Sequence, residues 1–255
     1  MIETSDDEIK EGMFVSPTGK NCRYQFFDRH GGIGTVPFNS MNVSYGVGDR
    51  KKTVTENRLR IQGITRLTSL LSAKQTHGDR IYCQTAPVNG NLEIENVDAL
   101  ITDRPGVGLM IQQADCQAVL LFDPVNNVAA AVHCGWRGSV IDILGKVVRR
   151  MITGFGVKPE DLLVAISPSL GSCCAEFLNY KDELPYEFRS FMVRGNYFDF
   201  WRISEYQLVS AGVTGVNITV AGICTCCSKN YFSYRRSNWN SDGITGRNCS
   251  IIALG

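Results

Sequence analysis

A mixed α+β structure, in which layered β-sheets are flanked by a few helices, is what the 255-residue sequence predicts. Three observations carry that expectation. Short apolar runs bounded by turn formers recur from Val97 onward. One amphipathic helical stretch follows at 139–155. Strands and helices then alternate too irregularly for a βαβ winding. With 44% hydrophobic and 20% charged residues the chain can bury a sizeable core. It contains no low-complexity tract, fixed-period repeat or Pro/Ser linker, so residues 1–255 are expected to form one domain, with 1–12 as a solvated tail.

Residues 20–50 are rich in glycine and turn formers, as in Arg29-His-Gly-Gly-Ile-Gly, and read as loops. Val97-Asp-Ala-Leu-Ile, Gly108-Leu-Met-Ile, Ala118-Val-Leu-Leu-Phe and Asn127-Val-Ala-Ala-Ala-Val-His read as four strands, with a hairpin turn at Asp123-Pro-Val-Asn-Asn. Ser139-Val-Ile-Asp142 matches a capping box. Ile141, Leu144, Val147 or Val148, Met151, Ile152 and Phe155 continue at helical spacing to Gly154 and Gly156, with Pro159 beyond. A buried strand at 161–166 leads to the loop Ser167-Pro-Ser-Leu-Gly-Ser-Cys-Cys174. A helix at 204–211 and strands at 217–223, 231–235 and 249–254 complete the chain.

Charge excludes several classes of function. Lys and Arg number 26 against 25 Asp and Glu, leaving +1, which lacks the basic footprint of a general nucleic-acid binder. No run approaches the ~18 apolar residues of a membrane span. The acidic N-terminus is unlike a signal peptide, so a cytoplasmic location is expected. Ten cysteines fall well short of the roughly 8–10% typical of a disulfide scaffold, and read as buried thiols, metal ligands or nucleophiles.

The chain has three histidines, His30, His77 and His133, so imidazole chemistry has few candidates. His77, Cys116 and His133 each lie beside turn formers at a strand end or edge. Two nitrogens and a sulfur with an open fourth position have the composition of a catalytic zinc site. The plain alternative is a turn-capping His77, a packed Cys116 and a satisfied core His133. If residues 127–134 are a strand, Cys134 faces away from His133 and is a poor co-ligand. Asp115 shares the direction of Cys116 only if the chain has turned. Gly135-Trp-Arg-Gly-Ser139 links a strand to a helix start, a pattern that suits an anion, although an ordinary tight turn explains it equally. Cys224-Thr-Cys-Cys227 contains a C-x-x-C, but Cys173-Cys174 is not a second spaced pair, so packing or a secondary role is expected.

Taken together, Ala114-Asp-Cys-Gln-Ala-Val-Leu-Leu-Phe-Asp-Pro and Ala130-Ala-Val-His-Cys-Gly-Trp-Arg-Gly resemble the central signature of the YfiH-like family. That family is also known as the laccase-domain or multicopper polyphenol oxidase family, as peptidoglycan editing factor, and as a purine nucleoside phosphorylase. The match extends through Asp28-Arg-His-Gly-Gly, Val47-Gly-Asp49, Glu56-Asn-Arg58, Gln75-Thr-His-Gly78 and Val97-Asp-Ala-Leu. Downstream it includes Ser167-Pro-Ser-Leu-Gly-Ser-Cys-Cys174, Cys224-Thr-Cys-Cys227, Phe232-Ser-Tyr-Arg-Arg236 and Thr245-Gly-Arg247. Gly46, Cys134 and Ala175 depart from the common pattern, where many relatives carry His, Ala and an aromatic residue.

The resemblance implies a cytosolic enzyme with one catalytic zinc on His77, Cys116 and His133. It implies phosphorolysis of adenosine, inosine, guanosine and methylthioadenosine, together with adenosine deamination. Phosphate contacts are expected from Arg29, Arg137 and the helix start at Ser139, and a proton shuttle from Asp115 or Glu176. Copper is the less favoured metal, because a blue-copper centre plus a trinuclear cluster needs far more imidazoles than three. Two rival readings remain open. One is a metal-free cysteine hydrolase or amidase acting on a cell-wall precursor, with Cys116 as nucleophile and His77 or His133 as base. The other is a non-catalytic binding module braced by zinc.

Overall fold

The computed structural model describes residues 10–15, 21–240 and 242–255. The chain runs β1 (Lys10–Val15), β2 (Asn21–Phe27), α1 (Lys51–Thr65), β3 (Ser69–Lys74), β4 (Ile81–Gln84), β5 (Leu92–Glu95) and β6 (Ala99–Thr102). It continues β7 (Val107–Gln113), β8 (Gln117–Asp123), β9 (Val128–Cys134), α2 (Trp136–Val140), α3 (Ile143–Phe155), β10 (Leu163–Ile166) and α4 (Tyr180–Glu183). Then follow β11 (Met192–Arg194), β12 (Tyr197–Phe198), α5 (Phe200–Ser210), β13 (Ile218–Val220), α6 (Tyr234–Asn240) and β14 (Asn248–Leu254).

Two six-stranded sheets dominate, ordered β1-β2-β14-β7-β3-β5 and β13-β10-β8-β9-β6-β4. Both are mixed, with parallel pairs such as β3–β7 and β4–β6 beside antiparallel β8–β9 and β14–β7. Phe26, Leu109, Ile111 and Ile252 of the first sheet meet Leu100, Leu120, Phe122 and Ala131 of the second across one apolar interior. The central strands β6, β7, β8, β9 and β14 are buried on both faces, so they read as continuous apolar runs rather than alternating ones. Helix α3 covers the outer face of the second sheet with Ile143, Leu144, Val147, Val148 and Met151, joined by Leu208 of α5. Helix α1 covers the outer face of the first sheet through Ile61, against Leu70, Met110 and Ile251. The layers are therefore helix, sheet, sheet, helix, as the expected α+β class requires.

The hairpin between β8 and β9 is built by Asp123, whose carboxylate accepts the N–H groups of Val125 and Asn126 and the Asn126 side-chain amide. Asn127 closes it at a φ of 58°. Helix α3 ends at Gly156, which takes a φ of 70° and returns its N–H to Ile152.

Several expectations are corrected. Residues 10–12, expected in a solvated tail, belong instead to β1, which pairs antiparallel with β2, and Phe14 packs on Tyr24 and Phe122. Residues 1–9 lie outside the described residues. The capping box at Ser139 is not used. Ser139 sits inside α2, where its hydroxyl donates to the Gly135 carbonyl, and α3 is capped instead by Asp142, which accepts from the Gly145 N–H. The strand expected at 231–235 is a loop entering α6. The Ser233 hydroxyl accepts the Arg236 N–H in the manner of a helix cap, and the Arg236 guanidinium gathers the carbonyls of Thr225, Cys226, Ser228 and Tyr231. These contacts override the local β propensity.

Within the stretch expected as loops, β2 spans 21–27, and α1 and β3 form where no clear local pattern marks them. The buried face of α1 consists of Val54, Asn57, Arg58 and Ile61, so half of its inward stripe is polar and the helical periodicity is broken. Its polar members are satisfied inside. Asn57 donates to the Ser40 and Asn42 carbonyls, and Arg58 donates to the Val43 carbonyl and pairs with Glu93 at 2.7 Å.

Phe122 is fully buried between the sheets and stacks on Phe14 at 6.1 Å. Phe122→Ala should cost about 3–5 kcal/mol by urea denaturation. Leu178→Ala, at a side chain 76% exposed, should change stability by less than about 0.5 kcal/mol.

Candidate metal centre

His77 follows β3 in a turn, Cys116 precedes β8, and His133 is the penultimate residue of β9. Sequence separations of 39 and 17 residues collapse because β8 and β9 pair along their length and the turn of His77 docks beside them. The three ligand atoms lie within 4.8 Å of one another, with Cys116 Sγ at 3.9 Å from His77 Nε2. The two imidazoles meet edge to face, with centroids 4.8 Å apart.

One carboxylate organises two of the three positions. Asp98, fully buried at the entrance to β6, accepts the His77 N–H at 2.9 Å and His133 Nδ1 at 2.9 Å on Oδ1. Its Oδ2 accepts the Thr76 N–H and hydroxyl and the Gly78 N–H. This ring of donors holds His77 at a φ of 61°, a backbone region that a non-glycine residue adopts only when fixed by its surroundings. It also leaves His133 Nε2 turned toward Cys116. Burial opposes ionisation of Asp98, but the hydrogen bond and charge of His133 and the backbone donors outweigh it and hold the carboxyl below its ordinary value.

Cys116 owes its direction to Asp115, whose φ of 84° turns the chain. With the chain turned, Asp115 and Cys116 both line the cavity, and the Asp115 carboxylate is held by the Thr225 hydroxyl at 2.7 Å and the Arg235 N–H at 2.5 Å, both of which it accepts. Burial alone would raise the Cys116 thiol, yet His133 and His77 beside it pull it down to about 6. His133 moves in the complementary direction, to about 9, because Cys116 and Asp98 overcome the burial that would lower it. Gly135 makes the close approach possible. A Cβ at this position would stand 2.7 Å from Cys116 Sγ and 3.4 Å from the His77 ring.

The donor set fits a tetrahedral metal. Zn–N near 2.0 Å and Zn–S near 2.3 Å place neighbouring ligand atoms roughly 3.5 Å apart, and an imidazole whose other nitrogen binds a carboxylate is the usual outer shell. Among the described residues no fourth His, Cys, Asp or Glu joins the group, which opens onto a cavity of about 1060 Å³. Tyr45, Leu170, Phe177 and Phe200 give the cavity apolar and aromatic walls, and Arg137, Arg235 and Arg247 give it positive charge.

The other sequence candidates are distributed unevenly. Arg137 reaches the cavity and stacks on Trp136. Arg29 does not: its guanidinium binds the Asn39 carbonyl and side chain and lies over the Phe232 ring. Ser139 is 1% exposed, with its hydroxyl committed to Gly135, so no anion reaches it there. Glu176 is turned away, its carboxylate near the Asn196 amide and its backbone carbonyl bound by Arg235. As strand alternation requires, Cys134 packs with the α3 cluster, and burial pushes its thiol up to about 12.

Two residues escaped the sequence reading. Asp98 had a signal, a carboxylate opening an otherwise apolar strand. Arg247, at the end of Thr245-Gly-Arg247, has no local pattern that marks it. It lines the cavity while donating to the Thr245 and Gly246 carbonyls. Burial lowers its guanidinium, and the nearby Cys116 and Asp115 oppose that shift.

A family profile described as multi-copper polyphenol oxidoreductase laccase matches residues 23–255. A protein named purine nucleoside phosphorylase YlmD from Geobacillus stearothermophilus is 32% identical over 245 residues, covering 88% of this chain and 87% of its own. A purine nucleoside phosphorylase of Streptomyces griseus is 30% identical over 253 residues, covering 94% and 97%. The crystal structure of the Bacillus licheniformis hypothetical protein YfiH superimposes with a TM-score of 0.85 at 28% identity, over 95% of this chain and 99% of that one. The crystal structure of YlmD from Geobacillus stearothermophilus gives 0.84 at 28%, covering 98% of both.

In metal-free protein, alkylation of Cys116 should rise with a midpoint near pH 6, far below an ordinary thiol at 9.0. His133→Ala should move that midpoint upward, since His133 is the largest influence lowering it. Gly135→Ala should abolish metal retention at this site while leaving the far-ultraviolet circular dichroism unchanged, because the added methyl takes the space of Cys116 Sγ.

Proposed function

This chain belongs to the multi-copper polyphenol oxidoreductase laccase family, and on that premise we propose that it is a zinc-dependent purine nucleoside phosphorylase that also deaminates adenosine. The observation that carries the reading is the His77, Cys116 and His133 group set in the wall of a cavity that also presents three arginines. The names of relatives near 30% identity support it. The copper oxidation in the family's description suits this chain poorly: it has three histidines in all, and two of them are already in one mononuclear group.

His77, Cys116 and His133 would hold zinc, which supplies a Lewis acid and activates water when bound. Asp98 fixes the tautomer of His133 by taking its Nδ1 proton in a hydrogen bond, leaving Nε2 as the ligand atom. Arg137 and Arg247 bind the phosphate dianion, and the apolar walls at Leu170, Phe177 and Phe200 receive the base and exclude water from its faces. In phosphorolysis a phosphate oxygen attacks C1′ of the ribose. The C1′–N9 bond breaks with its electron pair going to the purine, which takes up a proton and leaves. In deamination water adds at C6 and ammonia departs. The substrates are adenosine, inosine, guanosine and methylthioadenosine, in a cytoplasmic setting; no helix among the described residues is long and apolar enough to cross a membrane.

The lowered thiol of Cys116, backed by His133 and Asp98, favours a second reading, that of a thiol hydrolase with those residues as nucleophile, base and orienting carboxylate. Metal dependence separates the two.

Phosphate-dependent release of hypoxanthine from inosine should vanish on zinc removal and in Cys116→Ala. A chelated enzyme that keeps hydrolytic activity would instead support the thiol hydrolase. Arg137→Ala should raise the phosphate KM by about 10–100-fold, the size of a lost charged hydrogen bond, with adenosine deamination little changed. Equal losses in both reactions would remove Arg137 from phosphate binding.

A further inference from the structure

A second cluster of thiols lies behind the cavity, and the proposed reaction does not use it. Cys173, Cys174, Cys224 and Cys227 have all four sulfurs within 4.8 Å of one another, and Cys227 Sγ stands 3.5 Å from both Cys173 Sγ and Cys174 Sγ. The C-x-x-C half has the spacing of a zinc ribbon. The adjacent pair becomes usable because the chain turns tightly there: the Cys174 and Ala175 N–H groups both return to the Gly171 carbonyl. A Cβ on Gly171 would stand 3.0 Å from Cys224 Cβ and 3.4 Å from Cys173 Sγ, so a glycine lets the two loops meet.

The surroundings suit a thiolate cluster. Backbone N–H groups of Cys227, Gly171 and Cys226 lie near the Cys224 sulfur and favour its thiolate. Arg194 donates to the Cys173 carbonyl, and Arg236 binds the carbonyls of Thr225, Cys226 and Ser228, which places positive charge around the group. Four thiols at this distance do not ionise together unless a cation stands between them. Tetrahedral zinc with Zn–S near 2.3 Å holds sulfurs roughly 3.8 Å apart, close to the spacing found. A set of four soft sulfur donors selects zinc or iron over harder cations.

We propose that Cys173, Cys174, Cys224 and Cys227 form a second, closed metal site that binds one zinc ion as a tetrathiolate and fastens the two loops behind the cavity. Binding forms four Zn–S bonds and releases the four thiol protons to solvent, with no change of oxidation state. The consequence for the first site runs through Asp115. Leu170, on the first loop, donates its N–H to the Asp115 carbonyl at 2.8 Å, and Thr225, on the second, donates its hydroxyl to the Asp115 carboxylate. Ser169 and Thr225 tie the loops to each other by backbone bonds. The metal therefore braces the turn that directs Cys116.

The test counts metal in the full-length protein purified with zinc. Wild type should carry two zinc ions per chain, Cys227→Ser and Cys174→Ser one each, Cys116→Ser one, and Cys116→Ser/Cys227→Ser none. A wild-type content of one that Cys227→Ser and Cys174→Ser leave unchanged would overturn the proposal. A content that falls in Cys227→Ser but not in Cys116→Ser would instead leave it standing and remove the metal from the proposed reaction.

Cobalt(II) loading of Cys116→Ser guards against misfolding of the cluster variants. The remaining site should show a sulfur-to-cobalt charge-transfer band with the intensity and d–d pattern of a four-thiolate tetrahedron. Absence of that band, or recovery of Cys173, Cys174 or Cys227 in disulfide-linked peptides from the zinc-loaded protein, would overturn the site.

Discussion

The buried carboxylate of Asp98 is the interaction on which the candidate centre depends. It is fully enclosed and would be costly there without partners, yet it has donors from three successive backbone positions at 76–78, the Thr76 hydroxyl and an imidazole. Those donors come from two places in the chain that share no local structure, the turn after β3 and the end of β9. By satisfying itself the carboxylate joins them, and each brings one histidine to Cys116. The same arrangement gives His133 its polarity, and through His133 the low thiol of Cys116.

The double-sheet interior makes that placement possible. Strands β6, β8 and β9 are neighbours, buried on both faces, with inter-sheet packing on one side and α3 on the other. Their lateral freedom is small, so the starts of β6 and β8 and the end of β9 gather at one rim. The candidate centre sits where the regular ladder stops: Asp115 turns out of it at a φ of 84°, and Gly135 leaves it with no side chain to obstruct Cys116. A rigid two-layer scaffold with chemistry at its loop ends follows the general division between core and site.

The loops behind the cavity have a different source of order. The stretches around 167–175 and 221–236 contain little regular structure, and they are tied by Asp115, Arg236, the Ser169 backbone bonds and the clustered thiols. Such segments gain little from hydrophobic burial, so point attachments carry their conformation. This is also why a local strand pattern at 231–235 failed: Ser233 and Arg236 impose a helix start that apolar alternation cannot signal.

Legible in the residues themselves are the α+β class, the apolar strands from β6 to β10, the α3 stripe and the β8–β9 hairpin, whereas the three side chains of the candidate centre stood out as a metal set only through the family resemblance. Each of those elements has a local signature, in period or turn chemistry. Tertiary structure alone decided which carboxylate serves His133, that Arg247 rather than Arg29 faces the cavity, that Ser139 is buried, and that an adjacent cysteine pair meets a C-x-x-C. Those outcomes rest on partners dozens of residues apart. A buried polar group such as Asp98 or Arg58 carries no periodicity of its own; its meaning lies in the donors and acceptors that the packed sheets bring to it.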